Sequence, residues 1–266
     1  MSTDASWLAS MPEIYDRHLG PALFAPFASQ LAQQALALAP DRILEVAAGT
    51  GILTAELLRA LPGATITATD LNQAMVSWAA ERLPGPAWSV ADAQHLDFAD
   101  ESFDLVICQF GVMFFPDKPA AFAEQARVLV PGGTMLFTVW DVVESSPFPA
   151  ALVESVAAVL PVDPPGFVTE VPHGYADQGR LRADLSAGGL MVNRLDRLVL
   201  TGRAASARSL AEGFCLGTPL RFALQQRGSL AELTDAIADE LTTRLGPGEV
   251  AGKLSAFVVS ARKPGH

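Results

Sequence analysis

Three carboxylates, Glu45, Asp70 and Asp92, each stand at or next to the end of a short β-branched or aliphatic run, and the first leads into a turn of small residues. The run Ile43, Leu44, Val46 surrounds Glu45, then breaks into Ala47 to Gly51 before a helical stripe of Leu53, Leu57, Leu58 and Leu61. Gly49 and Gly51 let the backbone bend and let a ligand approach closer than any Cβ would permit. The free N–H groups that open the following helix then face that ligand. An acid at this strand end suits a cationic amine or a hydroxyl, and it would repel a pyrophosphate. The loop therefore reads as a nucleoside-binding turn. Asp70 follows the glycines by about 20 residues, the spacing of an acid that accepts ribose hydroxyls at the second strand's end. Alternatively, with Asn72, it only starts the helix QAMVSWAAERL. Asp92 can accept from an exocyclic amine such as adenine N6, or be a solvated turn acid, as Asp97, Asp100 and Glu101 are read.

The elements that must position these groups alternate. Residues 1–20 are polar and irregular, with Tyr15, Arg17 and His18 just ahead of a helical segment that ends near Pro40. That segment either caps a ligand or simply closes the core. Strands follow at 43–46, 64–70 (ATITATD), 87–90 (AWSV), 103–109 (FDLVICQ, nearly all apolar and so central) and 134–141 (TMLFTVWD), with Pro131-Gly132-Gly133 as a turn before the last. Strands alternating with helices over about 100 residues predict a doubly wound parallel sheet. Beyond Val142 the rhythm changes. SPFPAALVESVAAVL reads as helix, PVDPPGFVTEVPHG as a loop, and ADQGRLRADLSAGG as a helix with a glycine stop. MVNRLDRLVLTG alternates like a strand, two helical stretches cover 206–245, and KLSAFVVSARKP is a final strand whose Lys and Arg suit an edge. With no long linker, the expectation is a single domain, 1–266. Within it, 1–40 form a helical cap, 41–141 the ligand-binding core, and 142–266 the substrate-side helices and last strand pair.

Composition narrows the partners. A net charge of -11 and a pI near 4.7 argue against nucleic acid, which needs clustered Lys and Arg. Half the residues are hydrophobic, enough for a large core. Cys108 and Cys215 are too far apart in sequence to suggest a disulfide framework or a zinc site, and no metal is expected. The first residues lack a signal-peptide pattern, and no apolar run reaches the ~18 residues of a membrane span. The expectation is a cytoplasmic protein, monomer or homodimer, acting on a small molecule.

Together ILEVAAGTG, TATDLN, ADAQHLDFADESFD, CQFGVMFFPD and LVPGGTMLF, in that order, resemble the class I S-adenosylmethionine-dependent methyltransferases, especially the ubiquinone/menaquinone-biosynthesis C-methyltransferases. The resemblance covers residues 10–141 well and the last strands more loosely. It implies a mostly parallel, seven-stranded Rossmann-like sheet with helices on both faces and a helical lid between the last two strands. It also implies methyl transfer from S-adenosylmethionine, leaving S-adenosylhomocysteine. By resemblance, Glu45 with the backbone near Ala47, Gly49 and Gly51 would hold the methionine end. Asp70 would take both ribose hydroxyls, with Leu71 and Met75 beside the adenine. Asp92 and the Ala93 backbone would read adenine N6 and N1, and Gln109 and Phe110 would lie beside the methyl. Ala47 replaces the family's first glycine, a change that is tolerable if its φ stays negative.

Displacement at a sulfonium methyl needs positioning and desolvation rather than a metal or covalent nucleophile. Consistently, the sequence has no HExxH, Cys cluster or Gly-x-Ser-x-Gly. Where an acceptor needs a base, His18 and His173 are the better-placed candidates and His95 the weaker, although an isolated histidine is more often a surface or structural one. Tyr15, Phe110, Met113, Trp140 and Phe214 suit an apolar acceptor pocket. The rival readings are a nicotinamide-dependent oxidoreductase and a binding protein or cyclase that keeps the fold without methyl transfer. The first lacks its Gly-x-Gly-x-x-Gly, since Thr54 stands at the third glycine's place. The second is left open, because fold does not fix chemistry.

Overall fold

The computed structural model describes residues 11–265. A seven-stranded sheet runs in the order β3-β2-β1-β4-β5-β7-β6, built from β1 (Arg42–Val46), β2 (Thr65–Asp70), β3 (Ala87–Val90), β4 (Phe103–Gln109), β5 (Leu129–Trp140), β6 (Met191–Ala204) and β7 (Val250–Arg262). The pairs among β1 to β5 are parallel, and β7 returns antiparallel against β5. The order therefore reverses between β1 and β4. That is the topological switch point of an open α/β sheet, where ligands bind outside the strand ends.

One face of the sheet is covered by α1 (Ala25–Leu38) and α2 (Ile52–Ala60). Their Ala28, Leu31, Ala35, Leu53 and Leu57 pack in one buried cluster with Ile43, Ile66, Leu105, Ile107, Leu136 and Val258. Phe137, the next residue along β5 and so on the opposite face, meets Phe122 of α4 (Lys118–Val128) at 5.7 Å between ring centroids. Between β2 and β3 lies α3 (Gln73–Arg82), capped by Asn72, whose side chain accepts from the Ala74 N–H.

The remaining helices are α5 (Pro147–Val159), the four-residue α6 (Phe167–Glu170), α7 (Gln178–Ala187), and α8 (Ala207–Gly217), α9 (Leu220–Gln225) and α10 (Leu230–Leu245) between β6 and β7. The chain forms two compact units. One holds residues up to Phe27 with Asp141–Gly174 and Val199–Ser255; the other holds Ala28–Trp140, Tyr175–Leu198 and the residues from Ala256 on.

Four local expectations are corrected. Residues 11–20 are helical, and a π-helical stretch, Tyr15–Phe24, runs into α1; residues 1–10 lie outside the described part. Pro131-Gly132-Gly133 is not a turn before β5 but an irregularity within it. Gly132 takes φ +77°, the register against β4 shifts between Phe103 and Leu105, and the glycines exchange backbone hydrogen bonds with Lys263. The stretch read as a loop at 161–174 contains α6. Finally, β7 is not the edge. Residues 254–259 are buried one after another, as an inner strand demands, and its charges Lys253 and Arg262 sit near the two ends. The outer strand is β6, which carries Arg194, Asp196, Arg197 and Arg203 along its length.

The glycine stop of α7 sits where helix and sheet layer approach closely. A Cβ on Gly188 would lie 2.4 Å from the Phe122 Cβ and 2.9 Å from its carbonyl carbon. Backbone cannot yield as a flexible side chain would, so Gly188→Ala is predicted to cost about 1–3 kcal/mol of stability. Urea unfolding would measure it, and an unmoved midpoint would contradict the packing described.

Candidate functional site

The turn after β1 is built from alternating backbone hands. Ala47, Gly49 and Gly51 have φ of +55°, +58° and +86°, while Ala48 and Thr50 do not share the left-handed region. The Ala48 N–H donates to the Thr69 carbonyl at 2.9 Å and the Gly51 N–H to the Ala48 carbonyl at 3.0 Å, which ties the turn to β2 and closes it onto α2. Gly51 is required by its φ, and a Cβ there would also press on the Leu83 side chain, 2.6 Å from Cδ1. Gly49 differs: a Cβ there would meet nothing within 4 Å, so this point of the turn faces open space. Ala47 corrects the expectation of a negative φ. The turn takes a left-handed first position without a glycine, at a strain of roughly 1–2 kcal/mol.

An alternating turn of this kind gathers N–H groups into an anion-binding concavity. Here an anion of the protein takes part of it. Asp70 Oδ2 accepts the Gly49 N–H at 2.8 Å, and Oδ1 accepts the Asn72 N–H at 2.8 Å. Asp70 is thus distinct from the helix cap, which is Asn72 itself. A carboxylate has about four acceptor sites, so two remain for a ligand. Burial holds the Asp70 carboxyl above its usual range, against the lowering pull of these two amides.

Glu45 lies beneath the turn, 1% exposed, and accepts the Thr54 hydroxyl of α2 at 2.6 Å. Burial lifts its carboxyl to about 8; the Thr54 hydrogen bond opposes this, and the nearby Asp70 charge adds to it. Thr69 fixes the Glu45 backbone by donating to its carbonyl at 3.1 Å. Thr54 and Thr69 are partners of Glu45 that the sequence reading missed. A polar residue on the inward stripe of each element, beside a strand-end acid, was the available signal.

The other residues expected around a ligand separate into groups. Leu71 is 70% exposed just past β2, and Met75 is buried on α3. Asp92 turns onto its own loop, where Oδ1 accepts the Gln94 N–H at 2.9 Å and Oδ2 stands 3.9 Å from His95 Nδ1; Ala93 is buried beside it. Gln109 ends β4 and is half-buried. Phe110 follows at φ +55°, its N–H held by the Thr138 carbonyl and hydroxyl at 3.2 and 3.1 Å, with its ring stacked on Trp140 at 3.7 Å between centroids. Met113 is buried in the short helical turn beyond. Burial pushes the Cys108 thiol up to about 12, so it provides no thiolate nucleophile.

In the other unit, Tyr15 stacks on Phe24 at 5.0 Å, and Phe214 is half-buried on α8. There His18 Nδ1 lies 2.8 Å from the Ser209 hydroxyl, and His173 Nδ1 donates to the Asp141 carbonyl at 2.6 Å. Burial lowers the pKa of both histidines. His95 is exposed. Among the described residues no group of three potential metal ligands occurs, and no helix is long and apolar enough to cross a membrane.

A family model described as a methyltransferase domain matches residues 44–137, the span from β1 to β5. A demethylmenaquinone methyltransferase of Mycobacterium sp. is 34% identical over 166 residues, 58% of this chain and 70% of that protein. The chain belongs to the methyltransferase family. An uncharacterized Mycobacterium tuberculosis protein is 42% identical over 103 residues, a span of 37% of each chain, so the chain covers well under two thirds of that relative's own length. Among solved structures, the [4+2]-cyclase SpnF superposes with a TM-score of 0.58 at 18% identity, over 91% of this chain and 81% of that one, a likeness of fold alone.

Glu45 carries a pH prediction of its own. Its folded pKa is raised above the unfolded value, so the stabilising protonated state is fully present below about 4.5 and lost as pH rises through about 8. Glu45→Gln keeps the neutral shape at every pH. In the absence of ligand, its stability relative to the parent should therefore grow between pH 6 and 9, by an amount on the order of a few kcal/mol. Paired denaturant titrations would show a constant difference if Glu45 were ionised throughout.

Proposed function

We propose that this methyltransferase transfers a methyl group from S-adenosylmethionine to a small-molecule acceptor by in-line displacement. The observation that carries the reading is the hydrogen bond from the Gly49 N–H to Asp70. A dinucleotide site needs that amide for a pyrophosphate. Here it is taken by a carboxylate, whose charge would repel phosphate and whose two remaining acceptor sites match a pair of ribose hydroxyls. The residues fit an adenosyl-sulfonium ligand: open space at Gly49, acceptor capacity on Asp70, and a buried acid beneath the turn.

When bound, S-adenosylmethionine supplies an electrophilic methyl carbon on a sulfonium sulfur. In this reading Asp70 holds the ribose, Leu71 and Met75 flank the adenine, and Asp92 with the Ala93 backbone reads its edge. Glu45 and the turn from Ala47 to Gly51 hold the methionine end. Gln109 and Phe110 stand at the methyl, and the Phe110–Trp140 stack supplies an apolar wall that excludes water. For an acceptor that must lose a proton, His18 and His173 are the candidate bases, and burial lowers the pKa of each. Residues 142–250, beyond the matched family span, select the acceptor.

Calorimetric titration tests the cofactor. The protein should bind S-adenosylhomocysteine and not NAD; tight NAD binding without nucleoside–thioether binding would reverse the assignment. Asp70→Ala should then weaken S-adenosylhomocysteine binding by several kcal/mol, on the order of two charge-assisted hydrogen bonds at ~1.5–3 each. An unchanged dissociation constant would remove Asp70 from the site. Incubation with methyl-labelled cofactor and cell extract should label a small molecule. Cofactor binding with no labelled product from any extract would favour a non-methylating protein.

A further inference from the structure

The turns after β1 and β4 lie side by side at the switch point, and each holds a non-glycine residue in the left-handed region, Ala47 and Phe110, both at φ +55°. Such residues persist only where their surroundings over-determine them. Phe110 is fixed by its two contacts to Thr138 and its stack on Trp140. For Ala47 the left-handed position needs room for its methyl, and that room lies one residue further along the β4 turn. A Cβ on Gly111 would stand 2.5 Å from the Ala47 Cβ and 2.7 Å from Cys108 Sγ. The Ala47 methyl thus takes the room that a side chain at position 111 would need. Bulk at position 47 is turned toward the β4 turn, while the ligand-facing point at Gly49 stays open.

We propose that Gly111 is a positioning residue for the cofactor turn. By seating the Ala47 methyl, it holds the turn in the conformation that delivers the Gly49 N–H to Asp70, and it couples that turn to the segment bearing Phe110. This rests on the reading of the turn as the S-adenosylmethionine site. It also accounts for the room that the Ala47 methyl needs at its left-handed position, since position 111 carries no Cβ.

A double-mutant cycle between positions 47 and 111 tests it, run in a Cys108→Ala background so that the thiol does not obscure the pair. The readouts are the dissociation constant for S-adenosylhomocysteine and the ligand-free melting temperature. C108A should bind within about threefold of the parent. Adding Gly111→Ala should weaken binding roughly tenfold or more, the scale of displacing a strained turn. Adding Ala47→Gly as well should restore binding to within about threefold of A47G/C108A. If C108A/G111A does not fold, recovery of a folded, binding protein on adding A47G is the same rescue.

The proposal is overturned if Gly111→Ala costs the same with and without A47G, if A47G rescues neither folding nor binding, or if C108A alone abolishes binding. It is overturned equally if G111A lowers only the melting temperature and leaves affinity unchanged. Failure of the parent protein to bind S-adenosylhomocysteine would instead remove the cofactor reading itself.

Discussion

The 2.8 Å hydrogen bond from the Gly49 amide to Asp70 joins the turn after β1 to the end of β2, and the proposed cofactor site depends on it. Left-handed turns at a helix start ordinarily present their amides to a bound anion. Filling that role with a side chain changes what the same sheet can hold. The turn remains shaped for close approach, as the open space at Gly49 shows, but its charge now favours hydroxyls and cations. This separates the present arrangement from a dinucleotide site more sharply than the glycine count does.

The two acids at the ends of β1 and β2 reinforce that preference at a cost. Both are held above their usual pKa by burial, and each gains only neutral hydrogen-bond donors, Thr54 for Glu45 and two backbone amides for Asp70. Among these contacts none is with Lys or Arg. Desolvated acids without a cationic partner weaken the fold when ionised, and burial favours their neutral form. A site destabilised in this way is common where function requires it.

Much of this was legible in the residues. Glu45, the turn at 47–51 and Asp70 could be placed because strand, turn and acid recur at fixed spacing, whereas the cap read for Asp70 with Asn72 together belongs to Asn72. What stayed hidden depends on contacts distant in sequence. The methyl of the left-handed Ala47 fits because Gly111, about sixty residues away, has no Cβ, and that pairing has no signature of its own. The inner position of β7 could not be read from Lys253 and Arg262, because charges near strand ends look alike on inner and outer strands. The helical 11–20 stretch was obscured by Pro12 and Gly20, and the π-helical geometry that begins at Tyr15 has no pattern of its own in the sequence. Nothing in the sequence marked the division into two interleaved units.

A crystal structure of the protein with S-adenosylhomocysteine addresses the central claim most directly. The account predicts both ribose hydroxyls within hydrogen-bond distance of Asp70, the Gly49 amide still donating to Oδ2, and ligand atoms packed over Gly49. A ligand bound elsewhere, or an Asp70 carboxylate swung off the turn to leave the Gly49 amide to the ligand, would contradict it.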